Sequence, residues 1–234
     1  MPAQIDVGAV IRRVLAIYVD QASLLMPAAA VVFVITGVLS LVLDSGGVEL
    51  ERLAALISLA AMLVFAGMVV GLVADLRHGR RHSSAGQLLR AVGPAFWPLF
   101  GTTLLAALAI LAVISLCALA FAFALVLGLM AALIPCIVLL TFWCLLVPVA
   151  VIERPGVFKT LPRSRSLVRG NAWRVFSVML ALDVVPILAG LLLLTIAFTV
   201  GTGLGLVVWV IVGILAVPLP ALASAVLYFE LLGG

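Results

Sequence analysis

The sequence predicts an all-α integral membrane protein, a bundle of six transmembrane helices with amphipathic interfacial helices on the cytoplasmic side. Of its 234 residues, 67% are hydrophobic and 9% are charged, whereas a soluble domain has about 25% charged residues. The apolar residues form runs of the roughly 20 residues that cross a bilayer, and most charged residues lie between those runs. We therefore expect residues 1–234 to form a single polytopic membrane domain.

Residues 5–20 are predicted to form the first interfacial helix. Apolar side chains recur there, from Val7 to Tyr18, at the spacing of one helical face. Asp6 can accept hydrogen bonds from the first backbone N–H groups, and Arg12 and Arg13 point away from the apolar stripe. The segment is too polar to span, so we expect it to lie on the inner membrane surface.

Six membrane spans are predicted after this helix. They lie at about 22–43, 53–74, two within 97–152, 172–199 and 206–229. The stretch from Trp97 to Ile152 contains no charged residue and is far too long for one span. Two spans joined by a turn near 128–132 fit this stretch, and the GTGLG sequence at 201–205 is expected to turn the chain before the last span.

The polar segment at 75–93 is basic. Its arginines are Arg77, Arg80, Arg81 and Arg90. Ser84 and Gln87 have the spacing of a capping box, which predicts a second interfacial helix from about Ala85. His78 and His82 are four residues apart and could form a metal pair on one helix face. The neighbouring arginines repel a metal ion, so we expect solvated loop histidines and no metal site.

The most basic segment runs from Val151 to Arg174. Its charged residues are Glu153, Arg154, Lys159, Arg163, Arg165, Arg169 and Arg174. A basic residue near an anionic membrane surface contributes roughly 1 kcal/mol of attraction. The candidate residues for binding anionic lipid headgroups or a partner protein are Lys159, Arg163, Arg165, Arg169 and Arg174. A topology signal on the membrane rim would explain the same charges without a binding site.

Local signals inside this segment predict a third interfacial helix followed by the fifth span. Pro155 suits a first helical position, and Gly170 suits a helix C-terminal cap. Asn171 can cap the fifth span, and Trp173 is expected at the headgroup level that indole rings favour. Together these residues predict a helix that ends just before the membrane is entered again.

The distribution of lysine and arginine predicts the orientation. With the N-terminus inside, every one of the 13 Lys and Arg residues except Arg52 lies on the cytoplasmic side. Cytoplasmic loops carry an excess of these residues. We therefore expect a multi-pass protein of the cell (inner) membrane with both termini in the cytoplasm.

An interfacial helix followed by two spans occurs three times, at 5–75, 84–153 and 155–230. Gly8, Gly86 and Gly156 hold equivalent places near the start of each repeat. Each repeat ends on one acid at the inner mouth of a span, and these inner-mouth acids are Asp75, Glu153 and Glu230. Two spans per repeat restore the same orientation, so the pattern suggests three parallel repeats.

Asp183 is the one charged side chain deep inside a predicted span. It lies about ten residues into the fifth span, roughly 15 Å along a helix that rises 1.5 Å per residue. An ionised acid at the bilayer centre costs roughly 2.5–3.5 kcal/mol, so Asp183 is expected to be protonated or to face partners inside the bundle. The candidate partners are Thr102, Thr103, Ser115 and Thr141. A functional acid and a structural interhelical hydrogen bond both fit this position.

The segment that follows Ile152 resembles the membrane-domain family named after glycerophosphoryl diester phosphodiesterase. The resemblance rests on Glu153, then Ser166, Leu167, Gly170 and Trp173, and finally Tyr228 and Glu230 near the end. In the founding enzymes of that family this region is a membrane module attached to a separate catalytic barrel. The present chain has no room for such a barrel and lacks the His-Arg and acidic metal-ligand motifs of that catalysis. The resemblance therefore implies a membrane module without the enzymatic activity.

These observations predict a non-enzymatic membrane module that binds anionic lipid headgroups, or a partner protein, through a basic cytoplasmic rim. The alternative is a small transporter or lipid translocase that uses Asp183, and an intramembrane enzyme ranks third. We expect no catalytic residues, no cofactor, no metal and no nucleic-acid partner. Cys117, Cys136 and Cys144 all lie in apolar runs and are interpreted as packing residues.

Overall fold

The computed structural model describes residues 6–43, 48–79, 86, 93–121, 135 and 137–233. The regular elements in these residues are all helical. They are α1 (Val7–Asp20), α2 (Ala22–Leu43), α3 (Val48–Arg77), a 3₁₀ turn (Gly93–Ala95), α4 (Phe96–Phe121), α5 (Ile137–Glu153), α6 (Val157–Val168), α7 (Ala172–Val200), α8 (Thr202–Ala216) and α9 (Pro218–Leu232). The all-α prediction is confirmed for the described residues.

Five segments of the described chain are long and apolar enough to cross a membrane. They are Ala22–Leu39, Arg52–Arg77, Gly93–Ser115, Ala172–Val200 and Thr202–Leu232. The apolar helix α5 is shorter, and the predicted turn near 128–132 lies outside the described residues. The capping box of Ser84 and Gln87 also lies outside them. The described residues therefore support a multi-pass membrane protein with at least five candidate spans.

The amphipathic character of α1 is confirmed. The Asp6 carboxylate accepts hydrogen bonds from the backbone N–H groups of Gly8 at 2.9 Å and Ala9 at 3.2 Å, as predicted for a capping residue. Val10 and Val14 are buried on one face, and Arg13 on the opposite face is exposed. The buried face packs against α9, α7 and α2.

Helix α9 lies at the centre of the described bundle. All residues from Ala221 to Tyr228 are buried, and α9 contacts α1, α3, α5, α6, α7 and α8. Small side chains at Ala221, Ala223 and Ala225 let neighbouring helices approach closely. The second half of the last predicted span is therefore the element against which most of the other described helices pack.

Helix α7 contains one turn of π-helix, Leu180–Val184, which includes Asp183. Pro186 has no backbone N–H to donate to the carbonyl of Leu182, and its ring disturbs that turn. The N–H of Val185 instead reaches the carbonyl of Leu180, five residues back. The span predicted at 172–199 is thus present, but its hydrogen-bond ladder is shifted where the acid lies.

The last predicted span differs from expectation in two places. Its helix begins at Thr202, so the predicted GTGLG turn is reduced to the connecting residue Gly201. The helix is also interrupted at Val217, where Pro218 begins a new helix. Prolines cannot continue the backbone ladder, so α8 and α9 are separate helices. Because α8 begins directly after Gly201, α7 and α8 form a closely packed helical hairpin.

Candidate functional site

The chain enters α6 through a sharp reversal. Arg154 has φ +50° and Gly156 has φ +88°, both in the left-handed region. The backbone N–H of Arg154 reaches the carbonyl of Val149 at 3.2 Å and closes a π turn at the end of α5. Pro155 precedes the helix, so its predicted place as the first helical residue is wrong. The reversal after Glu153 delays the start of α6 to Val157.

Helix α6 has one buried polar face and one exposed basic face. Thr160, Ser164 and Val168, spaced four apart, are buried. The Ser164 hydroxyl donates to the carbonyl of Phe142 on α5 at 2.7 Å, and the Thr160 hydroxyl donates to the carbonyl of Gly156 at 2.8 Å. These bonds satisfy the buried hydroxyls and fix which side of α6 faces outward.

The end of α6 agrees with the prediction at Gly170. This residue has φ +100° directly after the helix, a conformation that favours glycine. Asn171 lies at the N-terminal cap position of α7, but its side chain makes no capping hydrogen bond there. The Trp173 ring is 76% exposed. The Ser166 hydroxyl donates to the carbonyl of Arg163 at 2.7 Å, and Leu167 packs on the core.

Glu153 is held by two partners. Arg163 donates to both of its carboxylate oxygens, from Nε at 2.7 Å and from Nη2 at 3.1 Å. The hydroxyl of Tyr228, on the central helix α9, donates to Glu153 Oε1 at 3.1 Å. The hydrogen bond from Arg163 to Glu153 raises the pKa of the guanidinium above its usual value. The Arg163 side chain is therefore engaged by a carboxylate of the protein itself, and it stabilises the contact between α6 and the end of α5.

Glu230 is the second acid held by arginines. Arg13 on α1 lies 2.7 Å and Arg77 on α3 lies 3.0 Å from its Oε1 atom. The Arg77 guanidinium also lies 5.0 Å from the centre of the Phe229 ring and donates to the Phe229 carbonyl at 3.3 Å. These contacts join α1, α3 and α9 at one end of the bundle, which we call the basic end.

The three predicted inner-mouth acids all lie toward the basic end. Glu153 bonds Tyr228, and Glu230 is two residues further along α9. Asp75 is on α3, two residues before the Arg77 that pairs with Glu230. A cavity of about 490 Å³ lies beside this group, lined by Arg13, Ile17, Asp20, Gln21, Val73, Leu76, Arg77 and Val226. The pairing of Arg13 with Glu230, 217 positions apart, has no local signal in the sequence.

The five predicted binding cations divide into two groups. Arg163 is paired with Glu153, and the Arg165 guanidinium lies 5.5 Å from the centre of the Phe142 ring. The side chains of Lys159, Arg169 and Arg174 make no hydrogen bond or ion pair to any described residue, and we call them the free cations. Lys159 and Arg169 are exposed and Arg174 is half-buried. The free cations therefore have no paired carboxylate among the described residues.

Asp183 lies in the wall of a second cavity, of about 460 Å³, between α4, α5 and α7. Asp183 Oδ1 and the Thr103 hydroxyl oxygen are buried, and neither has a hydrogen-bond partner among the described residues. Of the predicted partners, Thr102 and Thr141 donate to backbone carbonyls of their own helices, at 2.6 and 2.8 Å. The structure therefore brings Thr103 and Thr141 to the cavity of Asp183 but pairs neither side chain with it.

No group of three or more His, Cys, Asp or Glu side chains that could hold a metal occurs within the described ranges. A ring nitrogen of His78 lies 2.7 Å from the carbonyl oxygen of Ala74, while His82 lies outside those ranges. Cys144 is a free thiol beside the Asp183 cavity.

No protein-family model matches this chain, and no curated protein and no solved structure matches it either. The resemblance to the glycerophosphoryl diester phosphodiesterase membrane domain therefore stays a prediction.

Proposed function

We propose that this protein is a non-enzymatic integral membrane module that binds anionic lipid headgroups at its basic end through Lys159, Arg169 and Arg174. The observation that carries the proposal is the division of the cations. Arg13, Arg77 and Arg163 pair with carboxylates, whereas the free cations have no partner in the described chain. Such cations attract an anionic surface, each by roughly 1 kcal/mol.

Exposed aromatic rings near the free cations favour a lipid ligand. Phe158 is 81% and Trp173 is 76% exposed, and both are sequence neighbours of a free cation. Trp97 at the start of α4 is 75% exposed. A Cβ atom on Gly101 would lie 3.1 Å from Val157, so the start of α4 is close to the start of α6. Indole rings favour the membrane–water boundary, where headgroups lie.

The proposal includes the membrane topology. α5 would belong to the fourth of six spans in chain order, and the basic end would face the cytoplasm of the cell (inner) membrane. Both termini would then be cytoplasmic, and Arg52 would be the one cation outside. The excess of lysine and arginine at the basic end supports this orientation.

The proposed single domain would consist of three parallel repeats, 5–75, 84–153 and 155–230. The similar places of Asp75, Glu153 and Glu230 at the basic end support this arrangement. We also propose membership of the phosphodiesterase membrane-domain family, supported by the motif residues quoted above. The proposed lipid binding depends neither on the three repeats nor on membership of this family.

Native mass spectrometry of the detergent-solubilised protein tests the function. Phosphatidylglycerol and phosphatidylcholine would be titrated into wild type and into the variant Lys159→Gln/Arg169→Gln/Arg174→Gln. We expect wild type to prefer phosphatidylglycerol and the variant to lose roughly two orders of magnitude of that affinity, about fivefold per cation.

Arg52→Gln is the matched control, because it removes one cation outside the basic end, and it should bind like wild type. Equal binding of the two lipids by wild type would contradict the proposal. So would phosphatidylglycerol binding that the triple variant retains. Loss of a co-purified protein with unchanged lipid binding would point instead to a partner protein.

The second candidate function is a small transporter or lipid translocase that uses Asp183. The cavity of about 460 Å³ that reaches this acid favours it. Lipid translocation would be measured in proteoliposomes of wild type and of Asp183→Asn. Transport by wild type that the variant loses would support a translocase, and equal negligible transport by both would count against it.

A further inference from the structure

We propose that the cavity between α4, α5 and α7 is a binding site for a lipid alcohol, an apolar chain that ends in a hydroxyl group. The hydroxyl would meet Asp183 and Thr103, and the chain would lie along the apolar walls. This inference goes beyond headgroup binding at the basic end. It also names a ligand class for the translocase candidate, but it concerns binding and does not require transport.

The first reason is that two polar atoms of the cavity wall lack hydrogen-bond partners. Asp183 Oδ1 and Thr103 Oγ1 are both buried and unpaired within the described part of the chain. A buried polar group without a partner costs about 1–3 kcal/mol. Thr141, in the same wall, has already satisfied its hydroxyl by donating to Ile137. The two unpaired atoms are therefore available to a polar group of a ligand.

The second reason is the apolar lining around those two atoms. Apolar side chains from three helices line the cavity, among them Ala106 and Ile110 of α4, Leu140 of α5 and Met179 of α7. A volume of about 460 Å³ lies within the roughly 300–1,000 Å³ of small-molecule sites. Such a space suits a single hydrocarbon chain.

The third reason is that the cavity borders the outer surface of the bundle. Ile137 and Leu140 on α5, and Leu180 and Val184 on α7, belong to its wall and are also exposed apolar residues. In a membrane such residues face lipid chains, so an apolar ligand can enter without crossing water. This position favours a ligand drawn from the bilayer.

The charge of the cavity selects the polar group of the ligand. None of the described lining residues is Lys or Arg, so an anionic phosphate would find no cation and would lie beside an acid. An ammonium group would have to lose its water, which costs several kcal/mol. A hydroxyl both donates and accepts, so it can serve the carboxyl oxygen and the Thr103 hydroxyl at a small desolvation cost.

Photolabelling of the purified full chain in nanodiscs tests the site. Three probes with the same diazirine-bearing chain would carry an alcohol, an amine or a phosphate group, and labelled peptides would be mapped by mass spectrometry. We expect the alcohol to label cavity residues of α4, α5 and α7 most strongly, and unlabelled hexadecanol to compete. Stronger labelling by the amine or the phosphate, or labelling that hexadecanol does not reduce, would overturn the proposal.

Two variants distinguish a role of Asp183 and Thr103 in ligand binding from a role in the stability of the fold. Thr103→Val and Asp183→Leu keep a similar side-chain shape but remove the polar atoms. Each should reduce alcohol labelling about fivefold or more, the contribution of one hydrogen bond. The melting temperature of the ligand-free protein should stay the same or rise, because an unsatisfied polar group is removed. A lower melting temperature with unchanged labelling would assign both residues to structure alone and overturn the site.

Thr195→Val is the matched control. Its hydroxyl lies on α7 outside the cavity and donates to the carbonyl of Leu191, so labelling should not change. The variant that lacks the three free cations should also label like wild type. The alcohol site and the headgroup site can therefore fail independently of each other.

Discussion

The hydroxyl of Tyr228 donates a hydrogen bond to Glu153 Oε1 at 3.1 Å, across 75 positions of the chain. The Tyr228 side chain is 1% exposed and lies on the central helix α9, whereas Glu153 ends α5. Arg163 of α6 donates to both oxygens of the same carboxylate. Glu153 therefore joins α5, α6 and α9 at the basic end. Its position depends on the hydrogen bond from Tyr228, a residue of the buried core.

Replacing Tyr228 with Phe should destabilise the protein by about 1–2 kcal/mol. Hydrogen bonds to charged groups contribute about 1.5–3 kcal/mol, and the lower range applies because Glu153 keeps its Arg163 pair. The loss would be measured as a lower melting temperature in detergent, with the phosphatidylglycerol affinity unchanged. Tyr228→Phe changes no free cation, so weaker lipid binding would contradict the division between structural and free groups.

Tyr18→Phe is the control for the removal of a tyrosine hydroxyl. The Tyr18 hydroxyl donates to the carbonyl of Leu215 at 2.9 Å, so its acceptor is neutral. A neutral hydrogen bond contributes about 0.5–1.5 kcal/mol, so Tyr18→Phe should lower the melting temperature less than Tyr228→Phe. A larger effect at Tyr18 would show that the charge of Glu153 adds nothing to the Tyr228 bond.

Local features of this protein could be predicted from the sequence because their causes are local. The span expected at 22–43 is α2, Ala22–Leu43, since hydrocarbon thickness sets its length. The Asp6 cap and the left-handed Gly170 depend on neighbours within a few residues. In contrast, the pairing of Arg13 with Glu230 depends on how distant helices pack. The two unpaired atoms of the Asp183 cavity also depend on tertiary structure, since α4 and α7 are distant in sequence and line the same cavity.

Arg163→Gln should reduce stability and leave lipid binding unchanged. The variant breaks two hydrogen bonds to Glu153 and leaves that acid with Tyr228. Because the Arg163 side chain is 42% exposed, solvent screens the pair and we expect a loss of about 0.5–1 kcal/mol. Chemical denaturation in detergent would measure this loss, alongside a phosphatidylglycerol titration.

Arg169→Gln is the comparison for Arg163→Gln, since both remove one cation from the same segment. Arg169 has no partner in the described chain, so its variant should bind phosphatidylglycerol about fivefold more weakly at unchanged stability. The two variants should thus show opposite results. Equal losses of lipid affinity would mean that Arg163 is available to lipid despite its contact with Glu153.

Gly170→Ala should destabilise the junction of α6 and α7 by about 1–3 kcal/mol. The cost is conformational, because φ is +100° and no atom lies within 4 Å of the added Cβ. Gly201→Ala is the control, since that glycine is also free of contacts but has the extended φ of 169°, which any residue adopts. Thermal melts of both variants would measure the difference. Equal melting temperatures would show that the left-handed turn is not required.

Glu230→Gln should loosen α1 from the basic end, because one carboxylate oxygen accepts from both Arg13 and Arg77. Both ion pairs are partly exposed, so each contributes only about 0.2–1 kcal/mol, and the effect should appear locally rather than in global unfolding. Hydrogen exchange should accelerate in α1 and less in α9, which is buried by other contacts. At 1 M salt the Debye length falls to about 3 Å, so the difference between wild type and variant should shrink. A difference that persists at high salt would mean that α1 is held by its apolar face and that Glu230 acts through packing.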